Sequence, residues 1–387
     1  MSKTLQIDSL AHARILVRAP NWVGDAVLCL PAVRLLRDVL PQAELALLAR
    51  PWVRDVFPLE ELHACVIPYD TTSEQGGIGG RLRMSSLLRE KRFDAAILFQ
   101  NAFDAALISW LARIPIRAGY ARQGRGPLLT HAVSAPRKGM AGHEANYYLE
   151  MLRRLGLVEQ YSPVDRIALP ASEKLRRDAR RQLQERFEEE FSSPARFAPG
   201  AGWLVGISPG ATFGTAKRWP AERFAALASR LHQESGATCV YFGSPQEESL
   251  VENVRAKAEG PAISMAGKTT LAEFIQLVQG CDLLVTNDTG TMHVAAGLGV
   301  PTVAIFGPTN EKETQPLGSC VRLVTGEAYC RPCKLRHCPI DHRCMTSVAV
   351  DRVHQAALGL LRNGAASRPE QSIPASTQMT YEQGPAR

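Results

Sequence analysis

Alternation is what most constrains the fold of this sequence. Short apolar runs are separated by stretches of helical period, and the pattern occurs in two series. In the first series, residues 14–19 (RILVRA), 44–49 and 94–99 (DAAILF) read as buried strands, with helices over 24–40 and 104–113. In the second, strands are expected at 204–208, 238–242, 282–286 and 302–306. Helices are expected at 220–235, 246–258, 271–279, 290–298 and 351–362. Continuous apolar strands alternating with helices specify a parallel sheet covered on both faces.

Between the series lies Phe191 to Gly202 (FSSPARFAPGAG), whose Ser, Pro and Gly content fits an interdomain linker. A helix over 143–155 is closed by Gly156, and the charged stretch 172–190 reads as a solvated helix. The chain of 387 residues is 45% hydrophobic and 21% charged, enough to build two cores and too apolar for disorder. The expected division is 1–190, a linker at 191–202, a second unit at 203–362 and a disordered polar tail at 363–387. No detailed repeat links the two series.

Two doubly wound units place ligands beyond the carboxyl ends of their strands, so the turns there carry the chemistry. The first turn is Ala19-Pro-Asn-Trp-Val-Gly-Asp-Ala26. Gly24 permits close backbone approach. Asp25 either complements the dipole of the helix it opens or faces the cleft as a general base. The turn lacks the glycine spacing of a dinucleotide site. The second turn, Ser208 to Pro220 (SPGATFGTAKRWP), combines small residues, a threonine hydroxyl and two cations, which suits a diphosphate. In the third, Asn287-Asp288-Thr289-Gly290 opens a small-residue helix whose N–H groups suit a phosphate, with His293 one turn along. The fourth, Gly243 to Glu248, offers carboxylates to ribose hydroxyls or simply to its own helix dipole.

Taken together and in order, PNWVGDAV, SPGATFGTAKRWP and NDTGTMHVAAGLGVPTVAIFGPT resemble the ADP-heptose:lipopolysaccharide heptosyltransferases of glycosyltransferase family nine. The resemblance runs to about residue 360. RAGY at 117–120, GRGPLLT at 124–130, His143, Tyr147-Tyr148 and CRPCKLRHCPIDHRCM resemble the type II branch. It implies a GT-B fold: two Rossmann-like units facing a cleft, acceptor on the first and ADP-heptose on the second. The implied reaction is inverting transfer of heptose to the first heptose of the lipopolysaccharide inner core, with heptosyl-Kdo2-lipid A as acceptor and no cofactor required for catalysis. Asp25 matches the general base and Lys217 the lysine that neutralises the leaving diphosphate. Thr212, Thr289 and Gly290 match phosphate-binding positions, Asp288 and His293 donor positions, and Glu247 an acidic residue near the ribose. Asn21, Trp22 and Gly24 fall on the acceptor side.

The net charge of +7 points to anionic partners. Aromatic content of 6% and dispersed cations argue against nucleic acid. No apolar run reaches the length of a membrane span, and residues 1–13, with Asp8 and His12, do not read as a signal peptide. A cytoplasmic enzyme, peripheral on the anionic inner face of the inner membrane, is expected. Cys29, Cys65, Cys239 and Cys281 read as buried reduced thiols. Cys330, Cys333, Cys338 and Cys344 form C-x2-C-x4-C-x5-C, which either holds a structural zinc or is a loop of reduced thiols. The rival functions are a heptosyltransferase for another core sugar or a protein hydroxyl, a nucleotide-sugar epimerase, and a nucleic-acid-binding protein. Acceptor choice falls to 81–92 and 113–125, read as loops.

Overall fold

The computed structural model describes residues 4–70, 76–137, 142–191 and 202–364. Most of the expected linker (192–201) and of the expected tail (365–387) lie outside these residues. The first half runs β1 (Arg14–Arg18), α1 (Val23–Val39), β2 (Glu44–Ala49), β3 (Ala64–Pro68), α2 (Gly77–Glu90) and β4 (Ala95–Leu98). It continues with α3 (Phe103–Leu111), β5 (Ile116–Tyr120), β6 (His131–Val133) and α4 (Glu144–Arg154). After α5 (Glu173–Phe191) come β7 (Leu204–Ser208), α6 (Ala221–Ser235), β8 (Thr238–Tyr241), α7 (Glu248–Lys257), β9 (Ala262–Ser264) and α8 (Leu271–Val278). The described residues close with β10 (Leu283–Asn287), α9 (Gly290–Gly297), β11 (Thr302–Phe306), α10 (Glu311–Thr314), β12 (Val321–Thr325), α11 (Arg343–Thr346) and α12 (Val350–Gly364).

Two six-stranded sheets result, ordered β3-β2-β1-β4-β5-β6 and β12-β11-β10-β7-β8-β9. Every pairing in both is parallel. Read from its own first strand, the second sheet has the same order as the first. The halves therefore repeat in topology, although their sequences show no such repeat. Both are doubly wound. In the first, α1 and α4 cover one face, and α2 and α3 the other, over Leu16, Leu48, Ile67, Met84, Leu88 and Ile108. In the second, α6, α7 and α12 cover the face built on Val205, Ile207, Val285 and Ile305.

The central strands are buried apart from the exposed first residues of β1 and β2, which is why they read as continuous apolar runs. β3, β5, β6, β9 and β12 escaped the sequence reading. β6 and β9 are three residues long, and β3 and β12 are edge strands with one buried residue each. Residues 81–90 are not a loop but the body of α2, and Arg117 to Tyr120 belong to β5. Cys65 is exposed on edge strand β3, whereas Cys29, Cys239 and Cys281 are buried. α5 is not fully solvated: Ala179, Leu183 and Phe187 are buried. It packs on α8 and β9 of the second sheet. Arg176 and Arg180 anchor it by pairing with buried Asp282, at 3.1 and 3.0 Å.

Gly156, at φ 81°, closes α4, and its N–H donates to the Arg153 carbonyl. The Thr270 hydroxyl and the Glu273 carboxylate cap α8 reciprocally. The halves meet along α1 and α9. One apolar cluster is continuous across this contact, from Val27, Leu30 and Val33 to Val294, Ala295 and Leu298. Among polar links, His143 Nε2 donates to the Gln315 carbonyl at 2.8 Å, and Leu169 N–H to the Gly297 carbonyl at 2.8 Å.

Candidate active site at two facing switch points

In each sheet the strand order reverses beside the first strand, between β1 and β4 and between β7 and β10. An open parallel sheet splays its connecting loops apart there and leaves a crevice. The turns after β1, β7 and β10 open at those crevices. The folded chain brings these turns, which the sequence analysis singled out, close together.

The starts of α1 and α9 abut. A methyl group on Gly290 would lie 2.9 Å from Val23 Cβ and 3.0 Å from Gly24 N. One on Gly24 would lie 3.0 Å from His293 Cδ2. Both glycines thus allow two helix N-termini to abut. Neither Trp22, at the N-cap of α1, nor Thr289, at that of α9, caps its helix with its side chain. Their first N–H groups and their positive dipole ends converge on one place, which suits an anion.

Asp25 lies in the first turn of α1 and is partly buried. Burial raises its pKa to about 6, against a smaller downward pull from Lys217. A carboxylate so placed is ionised at neutral pH and basic enough to accept a proton. His293 is buried, and burial, followed by His143 and Lys217, lowers its pKa to about 3. Its imidazole is neutral, with Nδ1 buried and lacking a hydrogen-bond partner among the described residues.

The loop after β7 is held by a residue the sequence reading assigned no role. Asn287, fully buried at the end of β10, donates from Nδ2 to the carbonyls of Pro209 (2.8 Å) and Gly210 (3.2 Å). Its Oδ1 accepts from the Trp219 N–H at 3.0 Å. These bonds fix both ends of the loop and leave its middle to project. Thr212 is exposed there. Lys217 turns back from it and pairs with Asp288 Oδ2 at 2.7 Å, beneath the ring of Phe213 (5.0 Å). Asp288 also accepts from the Thr309 hydroxyl at 2.5 Å. At the floor, the Thr286 and Thr291 hydroxyls bond at 2.8 Å.

Glu247 is buried, and its Oε2 accepts from the N–H (3.0 Å) and hydroxyl (2.9 Å) of Ser244 in a capping box. Pro245 occupies the first position of that turn, where its missing N–H costs nothing. The carboxylate lies against Gly210, and any side chain on that glycine would overlap it.

On the first half, Asn21 faces inward: its Oδ1 accepts from Arg18 at 2.8 Å, and its carbonyl from Trp52 Nε1 at 3.0 Å. Trp22 is 48% exposed beside it. Arg18 was hidden in an apolar strand pattern. It is fully buried, donates to the carbonyls of Ala19 and Leu48, and lies 5.7 Å from the Tyr69 ring. Burial, then Arg50, lowers its pKa to about 10. Glu144, at the start of α4, was also missed. Burial, then Asp25 and Glu313, raises its carboxyl, while Lys334 and Arg122 oppose the shift.

The cysteine-rich segment walls the loop after β7. The Arg336 carbonyl accepts from Ala216 N–H at 3.0 Å and closes over Gly214, and Thr215 meets His337 Nδ1 at 3.1 Å. Arg331 holds the segment to the sheet through Gly307, Gly326, Thr309 and Glu311. The zinc expectation finds no support in this geometry. Among the described residues, no three His, Cys, Asp or Glu side chains converge as a metal site. Cys344 is buried toward Gly307, and Cys338 Sγ accepts from His342 N–H at 3.3 Å.

The family model described as glycosyltransferase family 9 (heptosyltransferase) matches residues 81–343. The chain belongs to this family. The heptosyltransferase is 31% identical over 321 residues to lipopolysaccharide heptosyltransferase 2 of Salmonella typhimurium, covering 81% of this chain and 89% of that one. The same figures hold for lipopolysaccharide heptosyltransferase 2 of Escherichia coli. The solved structure of E. coli ADP-heptose lps heptosyltransferase II matches with TM-score 0.73 at 28% identity, over 91% of this chain and 99% of that one. A family 9 glycosyl transferase from Veillonella parvula shares the fold at TM-score 0.74 and 24% identity, over 92% and 98%. The enzyme is therefore a glycosyltransferase of the GT-B fold. Among its described residues, no helix is long and apolar enough to cross a membrane.

Proposed function

We propose that this heptosyltransferase is of type II and transfers L-glycero-D-manno-heptose from ADP-heptose to the first heptose of the lipopolysaccharide inner core. The observation that carries this reading is the meeting of the α1 and α9 N-termini, with Asp25 on one and the Lys217–Asp288 pair beside the other. The named relatives support the choice of sugar and acceptor.

In the proposed reaction Asp25 takes the proton of an acceptor heptose hydroxyl. The freed oxygen attacks the anomeric carbon of the donor from the face opposite the diphosphate. The bond to the diphosphate breaks with its electron pair, the configuration inverts, and ADP leaves. Charge develops on the phosphate oxygens and is met by Lys217, the open N–H groups of Thr289 and Gly290, and the Thr212 hydroxyl. Preorganised donors in a water-poor site are worth more than in solvent, and they need no metal for this step. Asp288 holds Lys217 in place before the donor arrives. Neutral His293 presents a dipole rather than a charge. Glu247 keeps Oε1 for the ribose hydroxyls while Oε2 caps its own turn. Asn21, Trp22 and Gly24 shape the acceptor side. The acceptor, heptosyl-Kdo2-lipid A, resides in a membrane, so the enzyme works as a cytoplasmic protein bound peripherally to the anionic inner leaflet.

The test is a transfer assay with ADP-heptose and core acceptors carrying no, one or two heptoses, with products weighed. Transfer to the one-heptose acceptor alone is expected. Transfer to the heptose-free core would reassign the enzyme to the preceding step, and ADP-heptose turnover without any acceptor would remove the transferase reading.

A further inference from the structure

α2 and α3 lie side by side and run in the same direction. Arg81 pairs with Asp104, the Ser85 hydroxyl donates to the Ile108 carbonyl, and Arg89 donates to the Leu111 carbonyl. Their inner sides, with Met84, Leu88, Ala106 and Ile108, cover the first sheet. Their outer sides are unusually apolar. Ile78 is 78% exposed and Leu82, one turn on, 50%. On α3, Phe103 is 46% and Trp110 48% exposed, with half-buried Leu107 between them. Five of the fourteen large exposed hydrophobic side chains of the described residues fall on this helix pair. An apolar face of this kind normally has a partner.

The surrounding charge identifies it. Residues 77–92 and 103–113 carry six cations and two carboxylates. One carboxylate, Asp104, is turned inward to Arg81 and the Tyr69 hydroxyl. An apolar stripe with an interfacial tryptophan and a rim of Arg and Lys matches a bilayer surface bearing anionic headgroups. The face also connects to the active site. Asp104 holds Tyr69, whose ring lies 5.7 Å from the Arg18 guanidinium, and Arg18 holds Asn21 at the turn before Asp25.

We propose that the outer face of α2 and α3 inserts into the anionic leaflet, with Ile78, Leu82, Phe103 and Trp110 below the headgroups and the arginines among them. The acceptor turn then stands just above the membrane, and a lipid-anchored acceptor reaches Asp25 without leaving the bilayer. This rests on the lipid-anchored acceptor of the proposed function. It adds that apolar insertion, not charge alone, docks the enzyme.

The test is co-sedimentation with vesicles of phosphatidylcholine and phosphatidylglycerol, at low and high salt. The full chain is compared with the I78S/L82S variant and with L175S, a control at an exposed leucine on α5. Wild type and L175S should bind alike, and binding should survive in part at high salt, where surface charge is screened. I78S/L82S should bind at least about tenfold more weakly, since two inserted side chains are lost. All three should melt at the same temperature, which shows that they are folded, and wild type should turn over a water-soluble deacylated one-heptose acceptor. Equal vesicle binding by I78S/L82S overturns the proposal, as does complete release of wild type by salt. A wild-type dimer in light scattering that becomes a monomer in I78S/L82S would assign the face to a second copy instead. Failure of wild type on the soluble acceptor would count against the proposed reaction and leave the vesicle result standing.

Discussion

Replacing Asp25 by asparagine should make the protein more stable and nearly inactive. Burial raises the carboxyl from 3.8 to about 6, so the folded state holds this group less willingly as an anion than the unfolded chain does. A pKa raised by about 2 corresponds to about 3 kcal/mol of destabilisation once the group is ionised in both states. Because the folded pKa is the raised one, the wild type has its full stability contribution from this site below about pH 4. It loses that contribution as pH rises through about 6. The amide of the Asp25→Asn variant has no such titration. The variant should therefore melt several degrees above wild type at pH 8, and the gap should close by pH 4. Transfer should fall by about 10²-fold or more, the range for a lost general base. In the wild type, kcat/KM should decline on the acid side with a midpoint near pH 6. Thermal scans from pH 4 to 8 and initial rates across the same range measure both. A variant that melts below wild type at pH 8 would refute the buried-anion argument. Near-normal turnover would remove Asp25 from the chemistry.

Lys217→Ala should lower kcat by about 10²-fold or more by removing charge from the leaving diphosphate. It also leaves Asp288 buried and without its cation, so adding Asp288→Asn should restore the melting temperature but not the rate. Asn287→Ala removes three hydrogen bonds and orphans the Trp219 N–H, at a cost of about 2–4 kcal/mol in urea titrations. Its donor KM should rise as the 209–219 loop loosens, and an unchanged KM would show that Asn287 does not shape the donor site. Gly290→Ala drives a methyl into Val23 and the Gly24 backbone, costing about 1–3 kcal/mol and at least about tenfold in rate. Full activity in that variant would mean the two helix starts separate during turnover.

The sequence by itself determined the class of fold and the turns in which a site is expected. Buried parallel strands must be continuously apolar, so β1, β2, β4, β7, β10 and β11 were legible. Strand-end turns are where such sheets bind ligands, so Asp25, Lys217, Asp288 and Gly290 could be picked from spacing and family resemblance. Edge strands β3 and β12 were not legible, because solvent on their open sides removes the continuous pattern. α2 was hidden because its leucines and isoleucine are divided between an inner and an outer face. Only the tertiary structure could decide the rest, since it depends on contacts between residues far apart in the chain. Asn287 tethers a loop 77 and 78 residues away, Arg18 anchors the turn before Asp25, and Gly24 and Gly290 exist for each other across the two halves. The basic pKa of Asp25 and the neutrality of His293 likewise come from burial created when α1 meets α9. A local sequence encodes hydrophobic period and turn chemistry, but desolvation and helix-to-helix approach arise only once the two sheets have closed.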